Sequence, residues 1–389
     1  LGNVAGSNWT IGTDISDSNV DGFAFDNVAI LTGGTGIDTF NIVANNTDVL
    51  TADGGGGNDL FNLQANSAAS LSGGAGADSF MFVGTGSTSG SIDGGADTDS
   101  LDYSGATGAI TVNLNNATAT GIGTSFTNIE GMLGNGAGSQ LIGSNAGSTW
   151  TIGAAIDSNV DGFAFDDVAI LTGGSGVDTF NLAANNADVL SANGGAGNDI
   201  FNVNADSAAT LSGNADNDTF NVQANSSATL SGDAGADTFA VQEGFTASSI
   251  FGGSGIDSLA ALGDAGTDNT RIIPGPDAAT LDQGSGPRQA FAGLEGLQGD
   301  GDNETFVVDG TGRMSGTVDG GAGVDFLIFS TSAEIVNLSL ASATAGTATN
   351  VGAPAAVQLF NNMESALGNG GELTAAYNDV GLTWTIGTD

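Results

Sequence analysis

Short bursts of alternating apolar and polar residues run along almost the whole chain, and each burst ends at a glycine-rich corner. Residues 211–240, LSGNADNDTFNVQANSSATLSGDAGADTFA, show the period in full. Phe220 and Val222 alternate with Thr219, Asn221 and Gln223, the two-residue rhythm of a strand with its apolar side inward. Ala224-Asn225-Ser226 turns the chain, Ala228 and Leu230 face inward on the return, and Gly232 to Asp237 makes the next corner. No segment carries a convincing helical period. The pattern predicts two or three short strands per coil around a narrow core of Phe, Val, Leu and Ala, with almost no helix.

The corners are copies of one octet: Gly, usually Gly, any residue, usually Gly, any residue, an acid, any residue, then Phe or Leu. The sixth-position acids are Asp38, Asp59, Asp78, Asp99, Asp178, Asp199, Asp218, Asp237, Asp257, Glu304 and Asp325. Within each run they lie 19 to 21 residues apart. A fixed period near 20 residues is the mark of a solenoid with one coil per repeat. The expected fold is therefore an all-β parallel β-solenoid, β-helix- or β-roll-like. Stacking at about 4.8 Å would align the eighth-position aromatics in the core. Asn41, Asn62, Asn181, Asn202 and Asn221 follow the Phe in five copies and are expected to form ladders of stacked amides.

A longer repeat lies above the octets. Residues 5–42 return with one deletion at 146–182, and WTIGTD at Trp9–Asp14 reappears at Trp384–Asp389. A junction element recurs as FTNIEGMLGN (126–135), FAGLEGLQGD (291–300) and FNNMESALGN (360–369). The chain thus reads as a module at 1–143, a second at 144–383 and the start of a further repeat at 384–389. Ending in the opening words of a repeat, without an initiator at Leu1, it reads as a piece of a longer protein. Residues 261–298 lack the octet and hold Pro274, Pro276, Pro287, Arg271 and Arg288. They are expected to be an irregular insert, either a protruding loop or a patch whose arginines meet a neighbouring subunit's acidic face.

Charge narrows the partners. There are 44 acids against three Lys or Arg and no His, a formal net charge of −41. Such a polyanion repels nucleic acid and anionic membranes, and no apolar run reaches the roughly 18 residues needed to span a bilayer. It needs counter-cations, bound or in the solvent. There is no Cys, so no disulfide contributes. Without His, Lys or Cys, acid–base and nucleophilic roles would fall almost wholly on carboxylates that repeat identically, so the chain is not expected to be an enzyme.

The octets GGTGIDTFN (33–41), GGAGADSFM (73–81), GGSGVDTFN (173–181) and GGAGNDIFN (194–202) resemble the nonapeptide of hemolysin-type calcium-binding (RTX) proteins. In that family, loops stacked one coil apart hold calcium between them with Asp side chains and loop carbonyls. The resemblance implies Ca2+ as the bound ion. It implies Asp38, Asp59, Asp78, Asp99, Asp178, Asp199, Asp218, Asp237, Asp257 and Asp325 as its ligands, with Glu304 a weaker candidate. The chain departs from the family in carrying only one such loop per coil. Asn214, Asp233, Asp300, Asp97, Asp216 and Asp302 also replace glycines within the octets. From the residues alone a second reading stays open, in which each Asp merely caps its turn through the backbone. DSNVDG, at Asp17–Gly22 and Asp157–Gly162, matches half of an EF-hand loop, but Val28 or Val168 stands where its closing Glu belongs. These segments read as solvated turns.

The mosaic of octets and junctions is also similar to large repetitive bacterial surface proteins, among them filamentous-haemagglutinin-like adhesins. This resemblance implies an exported, extracellular or cell-surface protein. The leading expectation is a structural segment or protomer of a calcium-stabilised filament, sheath or surface layer, self-associating end to end. The alternative is the stalk of an adhesin whose tip, absent here, contacts cells or glycans. Ice binding would need Thr rows repeated coil by coil, and pairs such as Thr118 with Thr120 are sporadic.

Overall fold

The structure, a computed structural model, describes residues 5–242 apart from 15, 155–156 and 185–186. Beyond 242 it describes strands separated by short undescribed stretches, the last strand ending at Tyr377. Glu304, Arg288, Arg313 and the repeat start at 384–389 lie outside the described residues. Contacts group the chain into the units Leu1–Asn193 and Gly194–Asp389. Among the described residues every regular element is a strand and there is no α-helix.

In the first unit the predicted coil is realised twice over. One parallel wall stacks Asn8–Ile11, Thr39–Ile42, Leu60–Leu63, Ser79–Phe82 and Ser100–Asp102 in strict register. The opposite wall stacks Ile30–Gly34, Thr51–Gly56, Ser70–Ala75, Ile92–Ala96 and Phe126–Thr127. Alternation explains what lies between them: Leu31, Ala52, Leu71 and Ile92 of one wall are buried against Phe40, Phe61, Phe80 and Leu101 of the other. The second unit repeats this with Phe201, Phe220, Phe239 and Leu259 facing Leu211, Leu230 and Ile250.

The register places the aromatic rings in columns. Trp9, Phe40, Phe61 and Phe80 stack with centroids 5.5, 4.7 and 4.9 Å apart and planes within 12°. Phe201, Phe220 and Phe239 stack at 4.7 and 4.9 Å. Offset-stacked rings contribute about 0.5–1.5 kcal/mol beyond their burial. The amide ladder also forms: Asn62 Nδ2 donates to Asn41 Oδ1 at 2.9 Å, Asn41 Nδ2 to Asn8 Oδ1 at 2.9 Å, and Asn221 Nδ2 to Asn202 Oδ1 at 2.8 Å.

One expectation takes a different form in the structure, and the expected solvated turns gain a defined geometry. The 261–298 segment contains Thr270–Gly275, Ala278–Asp282 and Gln289–Ala292 paired antiparallel, so it is a strand excursion. Pro274 lies where the first pairing shifts register, the place a residue without an N–H is tolerated. DSNVDG is a hairpin turn. Val20 pairs with Phe23 across Asp21 and Gly22, whose φ values of 47° and 85° are those a two-residue turn demands. Asp161 and Gly162 repeat it at 50° and 92°.

Candidate functional site

The sixth-position aspartates lie inside the coil. Residues six and eight of the octet are two apart on an extended chain, so Asp38 and Phe40 share a face, and that face is the core. Asp38, Asp99, Asp178, Asp199, Asp237, Asp257 and Asp325 are 0% exposed, Asp218 1%, and Asp59 and Asp78 2%. All ten are therefore brought to equivalent inward positions, within their respective units.

The carboxyls reach across to the preceding coil. In the first unit the Asp38 N–H donates to Asp59 Oδ1 at 2.7 Å, Asp59 N–H to Asp78 Oδ1 at 2.6 Å, and Asp78 N–H to Asp99 Oδ1 at 2.7 Å. In the second unit the Asp199, Asp218 and Asp237 amides donate to Asp218, Asp237 and Asp257 Oδ1 at 2.7 to 2.9 Å. One oxygen of each acceptor thus caps the backbone of its neighbour. This makes the cap an inter-coil one, to which Asp38 adds the local turn cap that the sequence suggests, through its other oxygen.

The ladder ends on residues the acid pattern overlooks. Ser7 N–H donates to Asp38 Oδ1 at 2.6 Å and Ser148 N–H to Asp178 Oδ1 at 2.7 Å, so serine begins each run. Asp99 N–H donates to Glu130 Oε2 at 2.9 Å, which closes the first run with the junction glutamate. The signal was in the sequence: GNVAGSNW (2–9), GNGAGSQL (134–141) and GSNAGSTW (143–150) are octets with Ser in sixth position. There the serine hydroxyl takes the second-position amide, Asn135 N–H to Ser139 Oγ at 2.7 Å and Ser144 N–H to Ser148 Oγ at 2.9 Å.

In Asp38 the second carboxyl oxygen accepts the Gly34 N–H of its own octet at 2.9 Å, whereas further along the row that oxygen is the chemically open group. Oδ2 of Asp59, Asp78, Asp99 and Asp218 is buried and accepts no hydrogen bond among the described residues. It sits over the first glycine of its own octet. A Cβ on Gly54 would fall under 3.0 Å from both Asp59 Oδ2 and the Gly73 carbonyl, and one on Gly213 likewise from Asp218 Oδ2 and the Gly232 carbonyl. Position one must be glycine because the carboxyl and a carbonyl of the next coil fill that space. Burial pushes the carboxyls up, Asp59 to about 7, Asp78 to about 6 and Asp218 to about 8, with neighbouring carboxylates adding to the rise. A bare anion is thus disfavoured in this row, and either a proton or a cation relieves it.

For calcium, the donor set fits in kind: carboxylate oxygens and glycine carbonyls are the hard oxygen ligands it takes, in irregular arrangements of about six to eight. Among the described residues no three acids gather into one cluster, so a calcium here would lean on backbone oxygens between coils. The acids that replace glycine do other work. Asp97, Asp216 and Asp233 have φ of 80°, 74° and 71°, and Asn214 75°, the left-handed region that Asn and Asp tolerate best after glycine. Asp97 and Asp216 accept the Gly76 and Gly197 amides of the adjacent coil. In the hairpin turns, Asp21 and Asp161 accept the Asn8 and Thr149 amides at 2.9 Å.

No family model and no curated protein matches the chain. Among solved structures it is similar to a hyperactive, Ca2+-dependent, beta-helical antifreeze protein from an Antarctic bacterium. Identity is 17%, over 97% of this chain and 82% of that one, with a TM-score of 0.23. An overlap that loose carries no argument about this chain's function.

Proposed function

We propose that the chain is a structural, extracellular repeat protein, a calcium-stabilised segment or protomer of a filament, sheath or surface layer. The observation that carries this reading is the uniformity of the coils: the same side chains recur in the same register, as a scaffold requires and a single active site does not. Calcium enters at the inward row. Asp59, Asp78, Asp99 and Asp218 would hold it through Oδ2 together with glycine carbonyls such as those of Gly73 and Gly232. When bound it supplies the positive charge that the row lacks. The aspartates keep their Oδ1 caps on the neighbouring coil, and glycine keeps the cradle clear. An ion requirement of this kind suits the cell exterior.

The test is negative-stain imaging of purified chain across a calcium titration, with magnesium as control. Fibres of uniform width that lengthen with calcium support the filament. A chain that stays monomeric at every calcium and protein concentration overturns it in favour of an adhesin stalk.

A further inference from the structure

The first module contains a neutral patch. Residues 79–92 and 103–129 carry no charged side chain, in a chain with 44 acids. The two segments pack together. Ile110–Asn113 and Thr118–Ala119 form a hairpin, and isolated parallel bridges join Gly84 to Ala106 and Thr88 to Ile122. The Tyr103 hydroxyl donates to the Thr120 carbonyl at 2.8 Å and the Thr88 amide to the Gly121 carbonyl at 2.8 Å, which hold the hairpin against the coil. Tyr103 in turn stacks on Phe82, with centroids 4.5 Å apart and planes 12° apart.

Between hairpin and coil lies a cavity of about 270 Å³. The buried Phe82, Tyr103 and Ile110 give it an apolar back, and Thr85, Thr107 and Thr120 stand exposed along its lining. The hydroxyls of Thr85 and Thr107 make no hydrogen bond among the described residues, whereas that of Thr120 is engaged with the Thr111 backbone. A second, more open hollow of about 450 Å³ adjoins the first at Ser87 and Gly121, which line both. It adds Asn66 and the exposed Ser89, whose hydroxyl is also uncommitted among the described residues. No acid lines either hollow. Two other cavities of this unit, beside Asp99 with Glu130 and beside Asp166 with Asp188, are lined by carboxylates.

A lining of this kind selects a neutral ligand that has both hydroxyls and apolar C–H surface. Cations are drawn instead to the carboxylate rows, and anions are repelled by a net charge of −41. Threonine and serine hydroxyls both donate and accept, so they match the hydroxyls of such a ligand in either sense. An apolar hollow with a few convergent polar groups is the usual form of a small-molecule site. We infer that the cavity at Phe82 and Tyr103, with the hollow beside it, binds a neutral glycan. One pyranose ring occupies the cavity, and the next lies along Ser87 and Ser89. At about 270 Å³ the cavity is just below the roughly 300–1,000 Å³ of sites for drug-sized ligands, which suits a single ring. The inference goes beyond the filament reading and does not rest on it, because a monomeric coil would carry the same site.

The test is saturation-transfer difference NMR on the full chain, titrated with lactose, maltose, cellobiose and chitobiose. Sorbitol serves as an acyclic polyol and sialyllactose as an acidic glycan. At least one neutral disaccharide is expected to bind saturably, with a Kd on the order of millimolar for so open a site. It should bind more tightly than its monosaccharide or sorbitol, and sialyllactose no more tightly than lactose. Thr85→Val combined with Thr107→Val removes two uncommitted hydroxyls at exposed positions and should weaken binding about tenfold, the loss of two ordinary hydrogen bonds. Ala106→Leu fills the cavity and should abolish binding, with far-UV circular dichroism unchanged. Thr35→Val, at an exposed hydroxyl elsewhere, should bind like the parent. If Ala106→Leu disturbs the fold, the double valine variant decides alone. No saturable binding by any of the disaccharides, or binding that the double valine variant retains in full, overturns the inference. Sorbitol binding as tightly as the best disaccharide also overturns it, since that marks a site for any polyol.

Discussion

Replacing Asp78 by Asn separates the two tasks of the inward carboxyl. Oδ1 of Asp78 accepts the Asp59 amide at 2.6 Å, while Oδ2 is buried without a hydrogen bond, next to the Gly94 carbonyl across Gly73. Asn keeps the acceptor and puts an NH2 donor where the orphan oxygen was. Burial raises Asp78 from 3.8 to about 6, so the folded chain binds this proton more tightly than the unfolded chain. That contribution is fully present below pH 3.8 and is lost as pH rises through about 6. At about 1.4 kcal/mol per pH unit, ionising Asp78 in place costs about 1–3 kcal/mol after allowance for solvent screening. In chelator at pH 8.5, Asp78→Asn should melt a few degrees above the parent by far-UV circular dichroism, and at pH 4 the two should coincide. Asp78→Ala strands the buried Asp59 amide and should lose about 1–3 kcal/mol at both pH values. If Asn is as damaging as Ala at pH 8.5 in chelator, the charged oxygen is itself a structural requirement and the reasoning fails.

Four further outcomes follow from the same geometry. Because Asp59 and Asp218 are raised to about 7 and about 8, the chelated parent should lose stability continuously between pH 5 and 8.5, measured as falling melting temperature. Phe61→Ala opens the ring column between Phe40 and Phe80 and should cost about 3–5 kcal/mol in denaturant unfolding. Gly54→Ala forces a Cβ against the Asp59 carboxyl and the Gly73 carbonyl and should cost about 1–3 kcal/mol or more. Gly22→Ala, at φ 85° in open space, should cost only about 1–2 kcal/mol.

The solenoid, its ring columns and its amide ladders were legible because each rests on one local rule, two-residue alternation, multiplied by a fixed period. The same rule contained the inward direction of the aspartates, since Asp38 and Phe40 are two residues apart and share a face. A charged residue beside a glycine corner reads as solvent-facing by habit, and only the neighbouring coil's amide makes burial tolerable. That partner lies about 20 residues away and has no side-chain signature. Ser7, Ser139 and Ser148 escaped for a related reason: the position needs an oxygen acceptor, and serine meets it without the acid that defines the motif. The turns at Asp21 and Asp161 were legible as solvated turns, while their hairpin form, which a D-G pair between apolar residues signals, was not drawn from the sequence. The antiparallel excursion at 270–292 was hidden by its prolines, which argue against strands unless a register shift accommodates them.

The most direct test of a cation-neutralised row is calorimetric titration of calcium into chelator-stripped chain at pH 7, repeated in buffers of different ionisation enthalpy. The account predicts saturable binding that releases protons, because carboxyls raised to about 7 and about 8 must give them up to take the ion. The triple variant Asp59→Asn, Asp78→Asn, Asp218→Asn should bind fewer ions and release fewer protons. No binding heat, or binding unchanged in the triple variant, would contradict the account and leave the row as inter-coil caps alone.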